Sequence, residues 1–268
     1  MWRKASLYIG GVAALTAIAI TTASAVLDNK PGATDLLPNL EMVAVKSGSY
    51  NLTIAVAGAF GIDYMSRPAK IASDFEISRY EITIAQWNRC YQAGGCPHAA
   101  KTRSYQTDDQ PVTNVNWLEA FQFTRWLSSV TGESYRLPTE EEWAYVAFSG
   151  TDVTREKLEK WSFERNITTT IGTSRMRKIG AFGQTPWGVS DVKGNVWEWT
   201  MTCWFNSDIE NKHARSIKEL EDPELCANRV VQGIERGHVP FFVGETYSGG
   251  CSTGRPIDNI GFRIVREL

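Results

Sequence analysis

The sequence is short of metal-binding side chains set at metal-binding spacings. Its five cysteines, Cys90, Cys96, Cys203, Cys226 and Cys251, contain no C-x-x-C pair, and its three histidines, His98, His213 and His238, contain no H-x-x-x-H pair. A zinc ribbon or finger therefore has no support. Charge of one sign is also missing: the formal net charge is −2 and the basic residues are scattered. This leaves no electrostatic footprint for nucleic acid, and no such partner is expected. There is no fixed-period repeat, no long low-complexity tract and no stretch of linker composition in the middle of the chain. What is present is 43% hydrophobic residues and ten tryptophans, enough for a substantial core and far from the composition of a disordered chain.

Only one long apolar run occurs, Leu7 to Ile20, preceded by Arg3 and Lys4 and followed by Ala23-Ser24-Ala25. A basic start, an apolar middle and a small-x-small end read as a secretory signal spanning 1–25, cut after Ala25. Leu7 to Ala25 also approaches membrane-spanning length, so an uncleaved anchor is the alternative. Either way the folded part faces out of the cytoplasm, periplasmic or secreted, and a cleaved chain has no membrane partner. Disulfides persist in such compartments. Cys90 and Cys96 flank Tyr-Gln-Ala-Gly-Gly, a short glycine loop that can bring the sulfurs within bonding reach, although five cysteines allow other pairings.

Residues 26–40, with two prolines and a glycine, read as a flexible lead-in. A domain over 41–268 then opens with a strand, Met42 to Val45, and a turn at Ser47-Gly48-Ser49. Ser73 to Thr83 alternates in the manner of a longer antiparallel strand. Three helix starts carry reciprocal caps: Thr83 with Gln86, Asn116 with Glu119 and Thr139 with Glu142. The second helix, Trp117 to Val130, has Phe121, Thr124, Leu127 and Val130 at helical spacing and stops at Thr131-Gly132. The charged stretches from Thr151 to Lys178 and Ser207 to Asp222 read as solvated surface excursions. Many short strands with few helices and irregular loops give an α+β class, a helix pair on small twisted sheets in a single domain.

The chain is organised around Gly188-Val-Ser-Asp191-Val-Lys-Gly194-Asn-Val196-Trp-Glu198-Trp199, a tight turn at Lys193-Gly194-Asn195 running into an aromatic strand. Two carboxylates from a turn, with carbonyls between them, suit a hard cation. Gly-Asn-Val-Trp-Glu-Trp after Gly-Val-Ser-Asp resembles the signature of the formylglycine-generating enzyme, or sulfatase-modifying factor, family. Further marks stand in the family's order: Met42-Val-Ala-Val, Tyr80-Glu-Ile-Thr, Gln110-Pro-Val, Tyr135-Arg-Leu-Pro-Thr-Glu and Asn259-Ile-Gly-Phe-Arg263. The resemblance implies a modified C-type-lectin-like fold of short antiparallel strands. It also implies a structural calcium at Asp191, Gly194, Val196 and Glu198. Family members carry cysteines at places similar to Cys203 and Cys226, which bracket a polar excursion and are expected to pair. Arg263 is expected to pair internally.

Active members of the resembled family bind copper(I) through two neighbouring cysteines in the last third of the domain. Here no cysteine occurs between Cys226 and Cys251, and a Gly-Ile-Glu-Arg run replaces the family's Gly-Gly-Ser-aromatic element. Copper is not expected, and formylglycine generation is argued against. Cys251 with His238 is the only weak candidate for a reactive pair. Glu235, Arg236, Glu245 and Arg255, with Phe241, Phe242 and Tyr247 as an apolar floor, form the expected substrate groove. The leading reading is an exported accessory or maturation factor that binds a peptide, protein or small secreted metabolite. The alternatives are an oxidative tailoring enzyme using another metal or cofactor, and a C-type-lectin-like recognition module.

Overall fold

The computed structural model describes residues 38–58, 61–157, 176–203, 216–222, 229–233 and 259–268. The signal segment and nearly all of the lead-in lie outside these residues. Three helices begin at the expected caps. Ahead of α1 (Ile84–Gln92), the Thr83 hydroxyl accepts from Gln86 N–H at 3.2 Å while the Gln86 side chain accepts from Thr83 N–H at 2.9 Å. Asn116 and Glu119 do the same for α2 (Trp117–Thr131), as do Thr139 and Glu142 for α3 (Glu140–Ala147). Each box satisfies two amides that would otherwise be orphaned, for about 1 kcal/mol per cap. α2 stops where Gly132 takes φ 77°, a left-handed cap that costs glycine little. A single turn, α4 (Ile217–Leu220), belongs to the second charged excursion, yet its Leu220 is buried in the core.

The first four strands are β1 (Met42–Val45), β2 (Gly48–Gly58), β3 (Gly61–Ile71) and β4 (Phe75–Ser78). β5 (Tyr135–Arg136), β6 (Trp197–Cys203), β7 (Arg229–Gln232), β8 (Ile260–Gly261) and β9 (Val265–Glu267) follow. They form a four-stranded sheet in the order β1-β4-β9-β5, a two-stranded β2-β3 ribbon and a three-stranded sheet in the order β7-β6-β8. Three expectations need correction. Ser47-Gly48-Ser49 is not a turn, because β2 starts at Gly48 and pairs with β3 along eleven positions. The strand expected over Ser73 to Thr83 is only Phe75–Ser78, since the Ser78 hydroxyl bonds to Tyr80 O and bends the chain there. The sheets are not wholly antiparallel, because β8 runs parallel to β6.

β6 is buried on both faces, and its alternation divides the interior. Trp197, Trp199, Met201 and Cys203 join Trp87, Trp117, Phe123 and Phe262 in one cluster against α1 and α2. The intervening Glu198, Thr200 and Thr202 face elsewhere: Glu140 N–H of α3 donates to Thr202 Oγ1 at 2.8 Å, Trp143 Nε1 to Glu198 at 2.8 Å, and the Thr200 hydroxyl to Val230 O at 2.7 Å. A second cluster, around Tyr50, Leu52, Phe75, Ile77, Trp143 and Val265, lies beneath the base of the ribbon and α3. Arg136 grips Glu142 at two points, 2.6 and 2.7 Å, and Glu267 at 2.8 Å, and so ties α3 to the β5–β9 pair. The Arg229 guanidinium stacks 3.7 Å over the Trp117 ring and donates to Met201 O and Leu220 O, pinning α4 to β6.

Cys90 and Cys96 are bonded, and both are buried in the first cluster. Cys203 is also disulfide-bonded, whereas Cys226 and Cys251 lie outside the described residues. The Cys203–Cys226 pairing therefore remains an expectation. Among the described residues no helix is long and apolar enough to cross a membrane. Replacing Cys90 and Cys96 together by serine should lower unfolding free energy by about 2 kcal/mol, the closure entropy of so short a loop. Urea titration of the double variant against the parent chain measures it.

Candidate functional site

The aromatic strand is entered through two residues with left-handed backbone, Asp191 at φ 66° and Asn195 at φ 69°. Asp and Asn are the non-glycine types that tolerate this conformation, which is why the chain can turn twice within five residues. Gly194 N–H closes onto Asp191 O at 3.0 Å, and Val196 N–H onto Gly194 O at 2.9 Å. A Cβ on Gly194 would lie 2.5 Å from the Phe182 ring, so the ring covers the turn. The turn directs the Asp191 carboxylate back to the preceding loop, where it accepts from Phe182 N–H at 2.8 Å and from Gly180 N–H. Asn195 Oδ1 accepts from Arg177 N–H at 3.1 Å.

Beside this turn Arg263 is completely buried and uses all five of its N–H groups. Nε and Nη2 grip the two Glu198 oxygens at 2.5 and 2.7 Å. Nη1 donates to Ser78 O and Arg79 O at 3.1 and 3.2 Å, and Nη2 also donates to Ser190 O at 3.0 Å. One guanidinium thus joins the end of β4, the turn at Ser190 and β6. The expectation of internal pairing is met, although Arg263 precedes β9 rather than lying within it.

The sequence reading missed Glu81. It is 1% exposed, and neither of its carboxylate oxygens has a hydrogen-bond partner. Its charge faces Arg263, Asp191 and Glu198. Burial, reinforced by the two neighbouring carboxylates and opposed by Arg263, raises its pKa well above the usual carboxyl range. Asp191 is also raised by burial, with the Gly180 and Phe182 amides, Arg263 and Glu81 acting in the opposite direction. Arg263 stays charged: burial opposes its charge, and Glu198, Glu81 and Asp191 more than offset that. The signal that could have found Glu81 was a carboxylate in the same alternating phase as Phe75 and Ile77, which point into the core, unlike Asp74 and Glu76 in the other phase.

Asp191 and Glu198 are therefore brought to one cluster, with Gly194 between them in the turn. The Val196 carbonyl lies at β7, 3.2 Å from where a Gly233 Cβ would be. The donor chemistry suits a hard cation, being all oxygen, with three carboxylates facing one guanidinium. Of the expected ligands, Asp191 and the carbonyls of Gly194 and Val196 would hold such an ion, which would supply charge neutralisation at the turn, while Glu198 is already gripped by Arg263. No three Asp, Glu, His or Cys side chains among the described residues gather as a ligand set. The remaining ligands would then be carbonyl, hydroxyl or water oxygens.

The groove residues Glu235, Arg236, Phe241, Phe242, Glu245, Tyr247 and Arg255, and the weak reactive pair Cys251 and His238, lie outside the described residues. The feet of their segment are described. β7 ends with Gln232 opposite Glu198, and β8 begins with Ile260 opposite Trp197. The segment leaves and rejoins the sheet on the two sides of β6, at the level of the charged cluster. Of the other histidines, His98 lies elsewhere, 2.9 Å from Glu119 at the start of α2.

The profile described as the sulfatase-modifying factor enzyme 1-like domain matches residues 29–268. The inactive C-alpha-formylglycine-generating enzyme 2 of Bos taurus is 27% identical over 167 residues, 58% of this chain and 50% of that protein. The formylglycine-generating enzyme of Thermomonospora curvata is 27% identical over 140 residues, 47% of this chain and 44% of that one. The chain spans about half the length of the curated relatives it matches. Among solved structures, PvdO from Pseudomonas aeruginosa superposes with a TM-score of 0.60 at 24% identity, covering 85% of this chain and 95% of that one. This last likeness carries the fold alone.

Removing one member of a buried, two-point ion pair leaves the other charge without compensation. Glu198→Ala should therefore cost about 3–5 kcal/mol of stability. Gly194→Ala should cost about 1–3 kcal/mol by driving a methyl into the Phe182 ring. Chemical denaturation followed by tryptophan fluorescence reads both.

Proposed function

The chain belongs to the sulfatase-modifying factor enzyme 1-like family, and on that premise we propose that it is an exported accessory or maturation factor without copper-dependent cysteine oxidase activity. It binds a peptide, a protein or a small secreted metabolite at the segment carried between β7 and β8. The observation that supports this is the cysteine count. Of five cysteines, Cys90 and Cys96 are bonded to each other and Cys203 is bonded as well. A second disulfide takes one more, so a single thiol remains, and a two-thiolate copper site needs two. Relatives named as inactive formylglycine-generating enzymes fit the same reading. The Asp191 turn, on this view, carries a structural calcium.

Without the paired sulfurs, what remains of the family's site is a segment joined at both ends to the sheet beside a buried charged cluster. Such an arrangement can recognise a ligand without turning it over. Glu235, Arg236, Glu245 and Arg255 would orient the ligand, and Phe241, Phe242 and Tyr247 would cover its apolar part.

Metal analysis of the natively exported protein should find no copper, thiol titration should find one free thiol per chain, and a cysteine peptide should cause no oxygen uptake. Alanine at Phe241, Phe242 and Tyr247 together should abolish co-purification of the exported partner while leaving the melting temperature in place. One copper per chain with oxygen consumption would replace this reading with an oxidase.

A further inference from the structure

The β2–β3 ribbon changes its pattern halfway along. At its base the alternate positions divide cleanly. Tyr50, Leu52, Ala69 and Ile71 are buried in the second cluster, while Asn51, Ser66, Pro68 and Lys70 in the other phase are exposed. That is the alternation of a sheet with one covered face and one wet face. Beyond Thr53 the division stops. Positions in phase with Leu52 carry Ile54, Val56 and Met65, and those in phase with Asn51 carry Ala55, Ala57, Ile62 and Tyr64. Asp63 is the only charged residue between Thr53 and Met65.

The ribbon also outruns its support. Thr53 N–H donates to Val153 O at 3.1 Å, Val153 N–H to Asn51 O at 2.7 Å and Asn51 N–H to Asp152 at 2.7 Å, which carries a flanking segment along β2 as far as Thr53. From there the pairing runs on through Ile54 opposite Met65 to Gly58 opposite Gly61, about 17 Å at the usual rise of a strand. No third strand joins the ribbon among the described residues. Met65, where this outer half begins, is already 44% exposed. A two-stranded ribbon is marginal in water by itself, and one with apolar residues in both phases has no wet face to present. A protein partner seated on one face would leave the other in water and the alternation intact, whereas a medium apolar on every side removes the need for it.

The chain outside the described residues points to the same medium. Residues 1–25 read as an export segment, which brings the protein to a bilayer, and the lead-in enters the domain at β1, three residues ahead of β2. We propose that the outer half of the ribbon, Ile54–Gly58 with Gly61–Met65, is a membrane-docking element that enters the boundary between headgroups and acyl chains. This departs from the expectation that a cleaved chain has no membrane partner. With a carboxylate as its only charge, the element gains nothing from anionic headgroups, so apolar burial alone drives the contact. It is separate in the chain from the segment between β7 and β8, and either reading can fail alone.

The test floats the exported protein, freed of residues 1–25, with phosphatidylcholine vesicles on a density gradient. The parent should float, and adding anionic lipid or salt should change the bound fraction less than about twofold. Val56→Asp should cut partition at least about tenfold, because a charge is expelled from the acyl region. Ala57→Lys, in the other phase, should do the same, which docking on one face does not require. Both variants should melt with the parent, since the buried contacts of the ribbon are at its base. Val56→Ser keeps the test open should a charged variant not fold, with a loss of about threefold. A parent that stays with the lipid-free fraction, or variants that float as the parent does, would overturn the proposal. Variants that abolish self-association of a parent indifferent to vesicles would replace the bilayer by a second copy of the chain. Loss of a co-purifying exported protein from such a parent would replace it by that protein.

Discussion

Everything near the aromatic strand depends on one guanidinium. Arg263 brings together the end of β4, the turn at Ser190 and Asp191, and Glu198 of β6, and no N–H of its side chain is left unused. A charge taken wholly out of water is tolerated only when its partners are complete, and here they are. The same requirement makes the arrangement specific. A lysine carries one charged point and cannot supply the fork that meets both Glu198 oxygens. The chain accepts the desolvation of this pair and obtains a fixed mutual position for segments that share few regular ladder bonds.

β6 is the other half of that device. Its odd positions supply tryptophans and Met201 to the helix-side core, and of its even positions Glu198 and Thr202 bond to α3 while Thr200 bonds to Val230 O of β7. Because both faces are occupied, the strand cannot slip by one residue without exchanging tryptophan for glutamate in both clusters. The neighbours β7 and β8 inherit this register, and with it the two points where the segment expected to hold the groove residues leaves and rejoins the sheet.

What could be read in the amino acids alone was mostly local. Thr83, Asn116 and Thr139 announce helix starts because cap and reciprocal partner are three residues apart, and Cys90 and Cys96 are separated by one turn. The signature around Asn195 and Trp197 was legible for the same reason. The β2–β3 ribbon was not. Pro68 argues against a strand interior, and the apolar residues between Leu52 and Ile62 follow no clear period of two, so the pairing of Asn51 with Pro68 could not be anticipated. Glu81 was missed for a different reason. Nothing within ten residues of it in sequence discloses that it meets Asp191, since the contact is made by tertiary packing over more than a hundred residues. The sequence placed Asp191 and Glu198 together by spacing, whereas charge and lone-pair accounting in three dimensions separate their roles.

The sheet order β1-β4-β9-β5 has a further implication for how the chain comes to be folded. Ribosomes deliver residues in order, and β9 is threaded between β4 and β5, which are finished well over a hundred residues earlier. Until Arg263 and the three residues of β9 emerge, the sheet has a gap in its interior and Glu198 has no counter-charge. The four-stranded sheet is therefore a late-closing one by topology, since its interior strand is drawn from the last residues of the domain.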